Sequence, residues 1–249
     1  MNIEVPPPST LTISSHNQYQ SPPFGPTHVH ADPLSQFRLW FSIAQSPSSS
    51  EQGQASASNP TFKPKSRVQE PEAMSLSTAT ASGIPSSRMV LLKEIDDKGF
   101  VFFTNYTSRK SRELIQNPNA ALCFYWRETH QQIRVVGRVE KLEPAASDQY
   151  YSSRPLNSRV GAWASPQSQT IGEDELQERV EEVRQRFGLK DEIEASIPRP
   201  EFWGGWRVIP QEVEFWSGKP SRLHDRVRYT RREAPAPDAP LWIIERLAP

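Results

Sequence analysis

"SSRMVLLKEIDDKGFVFFTN" (residues 86–105) decides the class of fold. Its first ten residues alternate, with Arg88, Val90 and Leu92 facing one way and Met89, Leu91 and Lys93 the other, which is the period of a strand. "DDKG" turns the chain and "FVFFTN" returns it, so the stretch reads as a hairpin. The same reading extends outward. "AALCFYW" (120–126) and "QQIRVVGRVEKL" (131–142) pair around "RETH", and "GGWRVIP" (204–210) and "EVEFW" (212–216) supply further strands. "SGKPS" (217–221) is a hairpin connection, and "LWIIERLAP" (241–249) closes the chain. Three helical segments interrupt the strands: "TSRKSRELIQN" (107–117), "EPAASDQYYSSRP" (143–155) and "GEDELQERVEEVRQRFG" (172–188). The last carries Leu176, Val180, Val183 and Phe187 on one face, with acids early and arginines late, as the helix dipole favours. Strands outnumber helices and are mostly hairpin-connected. The expected class is therefore mainly β with peripheral helices, a barrel or sandwich and not a doubly wound sheet.

Composition narrows the rest. The chain has 249 residues with 29 basic and 29 acidic side chains, and this neutrality argues against a general polyanion binder. Nowhere does an apolar run reach the ~20 residues that span a bilayer. The single cysteine, Cys123, excludes an intramolecular disulfide and fits a reducing compartment. No Lys or Arg precedes Arg38, which counts against a mitochondrial presequence and removes the charged start of a secretory signal, so the cytoplasm is the expected location. Eleven of the 24 prolines fall before Glu72, and "SPSSSEQGQASASNP" (46–60) is polar and of low complexity. The expected organisation is an unstructured tail (1–31), a docking helix (32–45), a low-complexity linker (46–66) and a functional domain (67–249). In the helix, Asp32 is the cap and Pro33 the first residue, with Leu34, Phe37, Trp40, Phe41 and Ala44 at helical spacing.

Three basic segments carry the candidate chemistry. In "RLHDRVRYTRR" (222–232), a strand places Arg222, His224, Arg226 and Arg228 on one face. Such a face is either an edge blunted by charge or a cationic wall for an anion; a histidine between arginines favours the wall. In "TNYTSRKS" (104–111), Thr107 or Ser108 caps a helix whose free N–H groups lie beside Arg109 and Lys110, the chemistry of a phosphate site. In "QYYSSRPLNS" (149–158), Tyr150 and Arg154 lie four apart on a helix, with Ser158 following soon after Pro155. "SPQSQ" (165–169) adds uncharged donors, and "FWGGW" (202–206) sets small residues between flat ones. No zinc spacing, glycine-rich phosphate loop or G-x-S-x-G turn is present. Phosphate-type sites without a nucleophile, metal cage or acid pair imply that a cofactor does the chemistry.

These residues also form a familiar series. "SSRMVLLK", "FFTNYTSRKS", "YYSSRPLNSRVGAWASPQS", "FWGGWRV", "EFWSGKPSRLHDR" and the terminal "ERLAP" resemble, in order and spacing, the pyridoxamine 5'-phosphate oxidase family, from Glu70 to Pro249. The resemblance implies an FMN-binding split β-barrel working as a homodimer. It implies flavin contacts from Arg88, Met89, Val90, Leu91, Leu92 and Lys93, from Phe103 and Thr104, and from Ser108, Arg109 and Lys110 near the phosphate. Gln132, Gln167, Ser168, Trp216 and Arg226 complete that set. Lys93, Tyr150, Arg154 and Ser158 are implied to grip a substrate phosphate, while Arg222 and His224, the implied catalytic pair, face the pyridine ring. The implied reaction oxidises pyridoxamine or pyridoxine 5'-phosphate with O2 and yields H2O2, without a metal, nucleic acid or membrane. Two departures stand out. Upstream of Asp32 the chain offers no counterpart to the Arg and Tyr with which the N-terminal segment of some members closes over substrate, and Phe103 replaces a frequent tyrosine. Rival readings are a split-barrel flavoprotein that reduces or carries FMN, and a single-stranded nucleic-acid binder built on stacking aromatics beside cations.

Overall fold

The computed structural model describes residues 18–47, 67–189, 196–233, 236 and 239–249. Nine strands form one sheet: β1 (Ala73–Ala79), β2 (Pro85–Leu91), β3 (Glu94–Ile95), β4 (Phe100–Asn105), β5 (Asn119–Trp126), β6 (Gln131–Lys141), β7 (Trp203–Ser217), β8 (Asp225–Arg231) and β9 (Trp242–Leu247). The sheet order is β2-β1-β5-β6-β7-β4-β3, with β8 on β7 and β9 on β8.

The stretch 86–105 is not one hairpin. β2 pairs with β1, Val90 opposite Met74, and only the two-residue β3 pairs with β4. The switch falls between consecutive residues: Leu92 donates its N–H to the Glu72 carbonyl (2.8 Å), Lys93 to that of Val101 (2.9 Å). β2 and β3, neighbours in sequence, thus sit at opposite edges of the strand path. A sheet whose two edges are joined by so short a link has to curl on itself, which makes it a barrel rather than a flat layer.

β7 is a single strand where two were expected. Its register against β6 shifts between Val136 and Gly137, where Pro210 lies, so the missing proline N–H coincides with the irregularity. β7 pairs with β6 along its length, with β4 through its first half (Gly204 opposite Thr104) and with β8 through its second (Trp216 opposite Arg226).

Helix α1 (Pro33–Gln45) fills the curl. Asp32 accepts the Ser35 N–H at 2.8 Å, and Phe37, fully buried, packs 5.0 Å from Phe100 and 4.9 Å from Phe124. Trp40 meets Phe215 edge-on at 5.1 Å. Residues 18–31, expected to belong to an unstructured tail, lie against the sheet: Asp225 accepts the Phe24 N–H (3.1 Å), and Tyr229 donates its hydroxyl to the His30 carbonyl (2.7 Å). The remainder of the expected tail (1–17) and most of the expected linker (48–66) lie outside the described residues. Outside the sheet stand α2 (Arg109–Gln116), α3 (Pro144–Ser153), α4 (Leu156–Ala164) and α5 (Glu175–Arg186). α4 was not anticipated, because Pro155 read as a helix end also serves as the start of the next helix, whose Val160 and Ala164 pack with Val183. Among the described residues, no helix is long and apolar enough to cross a membrane.

Candidate functional site

The residues singled out by sequence gather at the two ends of β7. At the first end, the buried Lys110 donates from Nζ to Gln167 Oε1 (2.9 Å), and the Thr104 hydroxyl donates to the same oxygen (2.8 Å). Ser168, adjacent, takes a left-handed backbone (φ 69°). Glu113, buried on α2, accepts from Arg109 Nε (2.9 Å) and from the hydroxyls of Ser86 (2.6 Å) and Thr78, with Arg88 Nη2 at 3.6 Å. Although burial works to raise it, hydrogen bonds from Ser86, Thr78 and Arg109 hold the Glu113 carboxyl at about 2. Arg88 and Arg109 thus share one carboxylate while Lys110 has only neutral oxygens, leaving an excess of positive charge. Burial, and then the charge of Arg88, pull Lys110 down to about 8. The Ser108 hydroxyl at the start of α2 is wholly buried and has no hydrogen-bond partner among the described residues. A buried orphan hydroxyl beside uncompensated cations at a helix N-terminus fits a phosphate.

Beside this cluster lies an aromatic stack. Tyr150 is nearly parallel to Phe103 with ring centroids 3.9 Å apart, and Trp203 lies beside the pair, 5.5 Å from Phe103 and 6.2 Å from Tyr150. A Cβ on Gly205 would fall 2.9 Å from the Phe103 ring and 2.5 Å from Leu142, so this part of β7 has room for glycine alone. Arg154 is not on the helix with Tyr150 as expected: α3 ends at Ser153 and Arg154 is extended (φ −76°, ψ 147°). Its guanidinium still reaches the stack, 4.8 Å over Trp203, with Nη1 buried and lacking a hydrogen-bond partner. No carboxylate pairs with Arg154 among the described residues. Burial lowers its pKa, partly offset by Tyr150 and Tyr151. Ser158 lies in the first turn of α4, its N–H donating to the Pro155 carbonyl (3.0 Å), rather than in a loop after α3.

At the other end of β7, Trp216 is flanked by Gln132 on β6 and Arg226 on β8. The continuous strand expected from Arg222 onward is corrected. β8 starts at Asp225, and Arg222 sits exposed in a 3-10 turn with φ 62° after Ser221 at φ 58°. Arg222 and His224 therefore do not share an alternating face with Arg226 and Arg228. Glu214 holds Arg226 by two bonds (2.8 and 3.1 Å), and Arg228 pairs with Glu245 (2.8 Å), so the merely structural reading applies to Arg228. His224 lies 4.5 Å from Trp216, and its Nδ1 accepts the Lys219 N–H (3.1 Å), which puts the proton of the neutral ring on Nε2. Burial, then Arg222 and Arg226, push its pKa below the usual 6.5.

Upstream of Asp32, where the sequence offered no closing tyrosine, Tyr19 packs against the second end of β7. Its ring sits 5.5 Å from Trp216, 5.7 Å from His224 and 5.2 Å from His130, all edge-on. Gly218 makes room for it, since a Cβ there would fall 2.7 Å from Tyr19. The available signal was that Tyr19 is the first aromatic in the chain; its neighbours carry no motif.

Of the strand 88–93, Arg88 joins the first cluster, Val90 and Leu92 face the core, and Met89, Leu91 and Lys93 are exposed. Gly204, opposite Thr104, and Trp216 lie twelve residues apart on β7, about 40 Å of chain measured along the strand at ~3.3 Å per residue.

Comparison with known proteins agrees with this layout. Residues 63–187 match the family described as pyridoxamine 5'-phosphate oxidase, and residues 203–249 match the pyridoxine 5'-phosphate oxidase C-terminal dimerisation region. A pyridoxine/pyridoxamine 5'-phosphate oxidase of Salinibacter ruber is 46% identical over 223 residues, covering 89% of this chain and 91% of that protein. The protein so named from Burkholderia thailandensis is 47% identical over 222 residues, with the same coverage. Among solved structures, PhzG from Burkholderia lata, in complex with tetrahydrophenazine-1-carboxylic acid, superposes with a TM-score of 0.72 at 31% identity, covering 90% of this chain and 96% of its own. A pyridoxamine 5'-phosphate oxidase-related, FMN-binding protein of Nostoc punctiforme shares the fold at a TM-score of 0.54 and 20% identity, over 72% of this chain and 88% of that one. The curled sheet with peripheral helices is the split barrel of these proteins.

Proposed function

We propose, for a chain that belongs to the pyridoxamine 5'-phosphate oxidase family, an FMN-dependent oxidase that converts pyridoxamine and pyridoxine 5'-phosphate to pyridoxal 5'-phosphate. O2 is the acceptor and H2O2 the by-product. The observation that carries this reading is Arg154: a buried guanidinium nitrogen with no hydrogen-bond partner, beside a stack of flat side chains, is the complement of a phosphorylated aromatic ring.

The proposed assignment follows the geometry. Arg88, Ser108, Arg109 and Lys110 hold the FMN phosphate, with Thr104, Gln167 and Ser168 beside it; Gln132, Trp216 and Arg226 contact the same flavin from elsewhere. FMN, when bound, supplies the hydride acceptor and its reoxidation by O2. The chain's own residues do the remaining work. Arg154, with Tyr150, Ser158 and Lys93, anchors the substrate phosphate. His224 presents an Nε2 proton and Arg222 a positive charge to the pyridine, and Tyr19 excludes water from above. Positioning of this kind is worth up to ~7 kcal/mol or more of a barrier.

About 40 Å of strand, measured along β7, separates the residues of the first end from those of the second, more than the length of one flavin with its substrate. We therefore assign each site to two copies of the chain, the first end from one and the second end from its partner, in a homodimer with two sites; the dimerisation region at 203–249 contains the second end. A cytoplasmic location accords with the single free cysteine. The nucleic-acid reading loses its cationic strand, because Glu214 and Glu245 neutralise Arg226 and Arg228.

The test is to purify the protein, titrate it with FMN, and follow aldehyde and peroxide together from pyridoxamine 5'-phosphate. Stoichiometric formation of both products is expected. A protein that takes up no FMN contradicts the proposal. FMN binding without aldehyde moves the reading to a split-barrel flavoprotein acting on another reduced heterocycle, the chemistry suggested by the ligand of the PhzG structure.

A further inference from the structure

A buried arginine ordinarily has a carboxylate beside it, because an uncompensated charge inside a protein is costly. The largely buried Arg88, Arg207 and Arg226 all follow that pattern, each within reach of a glutamate or aspartate. Arg154, half-buried, has no such partner among the described residues. What it has is Trp203: the guanidinium carbon stands 4.8 Å over the indole, and Trp203 is itself 6% exposed. The indole is fixed from several sides. Tyr150 lies parallel to it at 7° between planes, Phe103 at 14°, and Tyr151 meets it edge-on at 5.4 Å. Its carbonyl accepts Arg199 Nη1 at 2.6 Å, which pins the backbone at the start of β7.

We propose that Trp203 is a positioning residue for the substrate-phosphate site: its indole face holds Arg154 where other arginines of the molecule use a carboxylate. The physical consequence is selectivity. A carboxylate partner would occupy the donor fork and repel an incoming phosphate, whereas a π face attracts the cation, leaves every N–H free and carries no net charge. The desolvated setting strengthens the contact, and the parallel stack prevents the indole from turning away. This inference rests on the reading of Arg154 as the phosphate anchor and adds to it the residue that presents Arg154.

The experiment uses the full-length, FMN-loaded enzyme. KM and kcat for pyridoxamine 5'-phosphate and the inhibition constant of inorganic phosphate are measured for wild type, W203F, W203L, R154A and the double variants. W203L is expected to raise both KM and the phosphate inhibition constant by roughly tenfold, with the effect on KM exceeding that on kcat. W203F, which keeps a π face, should recover most of the loss. In the R154A background neither substitution should change phosphate inhibition further. If the phosphate constant stays at the wild-type value in W203L, or rises equally with and without Arg154, the ring only fills space and the inference is overturned. Should W203L fail to fold, W203F carries the test through a two- to fivefold change present with Arg154 and absent without it. Failure of the underlying reading is separate: it is seen when R154A itself leaves phosphate inhibition untouched.

Discussion

The two ends of β7 solve different problems with the same residue types. At the first end, cations are left in excess: Arg154 lacks an acidic partner among the described residues, the buried Lys110 is held by neutral oxygens, and Glu113 counters only part of the charge of Arg88 and Arg109. At the second, each of the paired cations has a carboxylate beside it: Arg226 and Arg134 share Glu214, and Lys219 and Arg246 share Asp225. The first end is therefore complementary to anions, while the second offers flat rings, a histidine whose pKa is pushed down, and the exposed Arg222. The proposed function gives anchoring to one end and chemistry to the other.

That contrast can be broken most sharply at Arg154. R154A should raise KM for pyridoxamine 5'-phosphate about ten- to a hundredfold, the equivalent of one to two charge-assisted bonds, while FMN binding stays close to wild type. Equal losses in FMN and substrate affinity would mean the anion sites are not separate. A second, smaller effect comes from pH. Without a phosphate, Lys110 titrates at about 8, and a bound phosphate favours its charged form. The bound pKa thus lies above the free one, so FMN affinity is full below about 8 and falls as pH rises through it, by up to about tenfold per unit. Affinity flat from pH 7 to 10, measured by flavin fluorescence, would place Lys110 away from the phosphate. The smallest effect is expected at the second end. Y19A removes edge contacts to Trp216 and His224, and KM should rise about three- to tenfold. Y19F should be nearly silent if the ring alone matters.

The β class, the helices α2, α3 and α5, and the amphipathic pattern of α1 were legible because hydrophobic periodicity is local information. The hairpin at 86–105 was misread for the same reason: alternation marks a strand without naming its partner, and the switch at Leu92 and Lys93 depends on β1 and β4. Motif residues such as Lys110, Gln167 and Arg154 were legible as basic or amide side chains near caps. Their burial and lack of partners were not, since both depend on strands far away in sequence. Tyr19 stayed hidden because its seat is a glycine about two hundred residues downstream, Gly218. Trp203 was visible in "FWGGW" but had no role until Arg154 was seen above it.

The central claim is that each site draws its anchor from one copy and its chemistry from the other, and complementation tests it most directly. R154A and an R222A/H224A variant, each inactive at low substrate concentration, are unfolded, mixed in equal amounts with FMN and refolded together. Mixed dimers then contain one wholly wild-type site, so activity should return to about a quarter of the wild-type level under random pairing. No recovery, in a mixture verified to contain mixed dimers that bind FMN, would place both ends in a single-chain site and contradict the account.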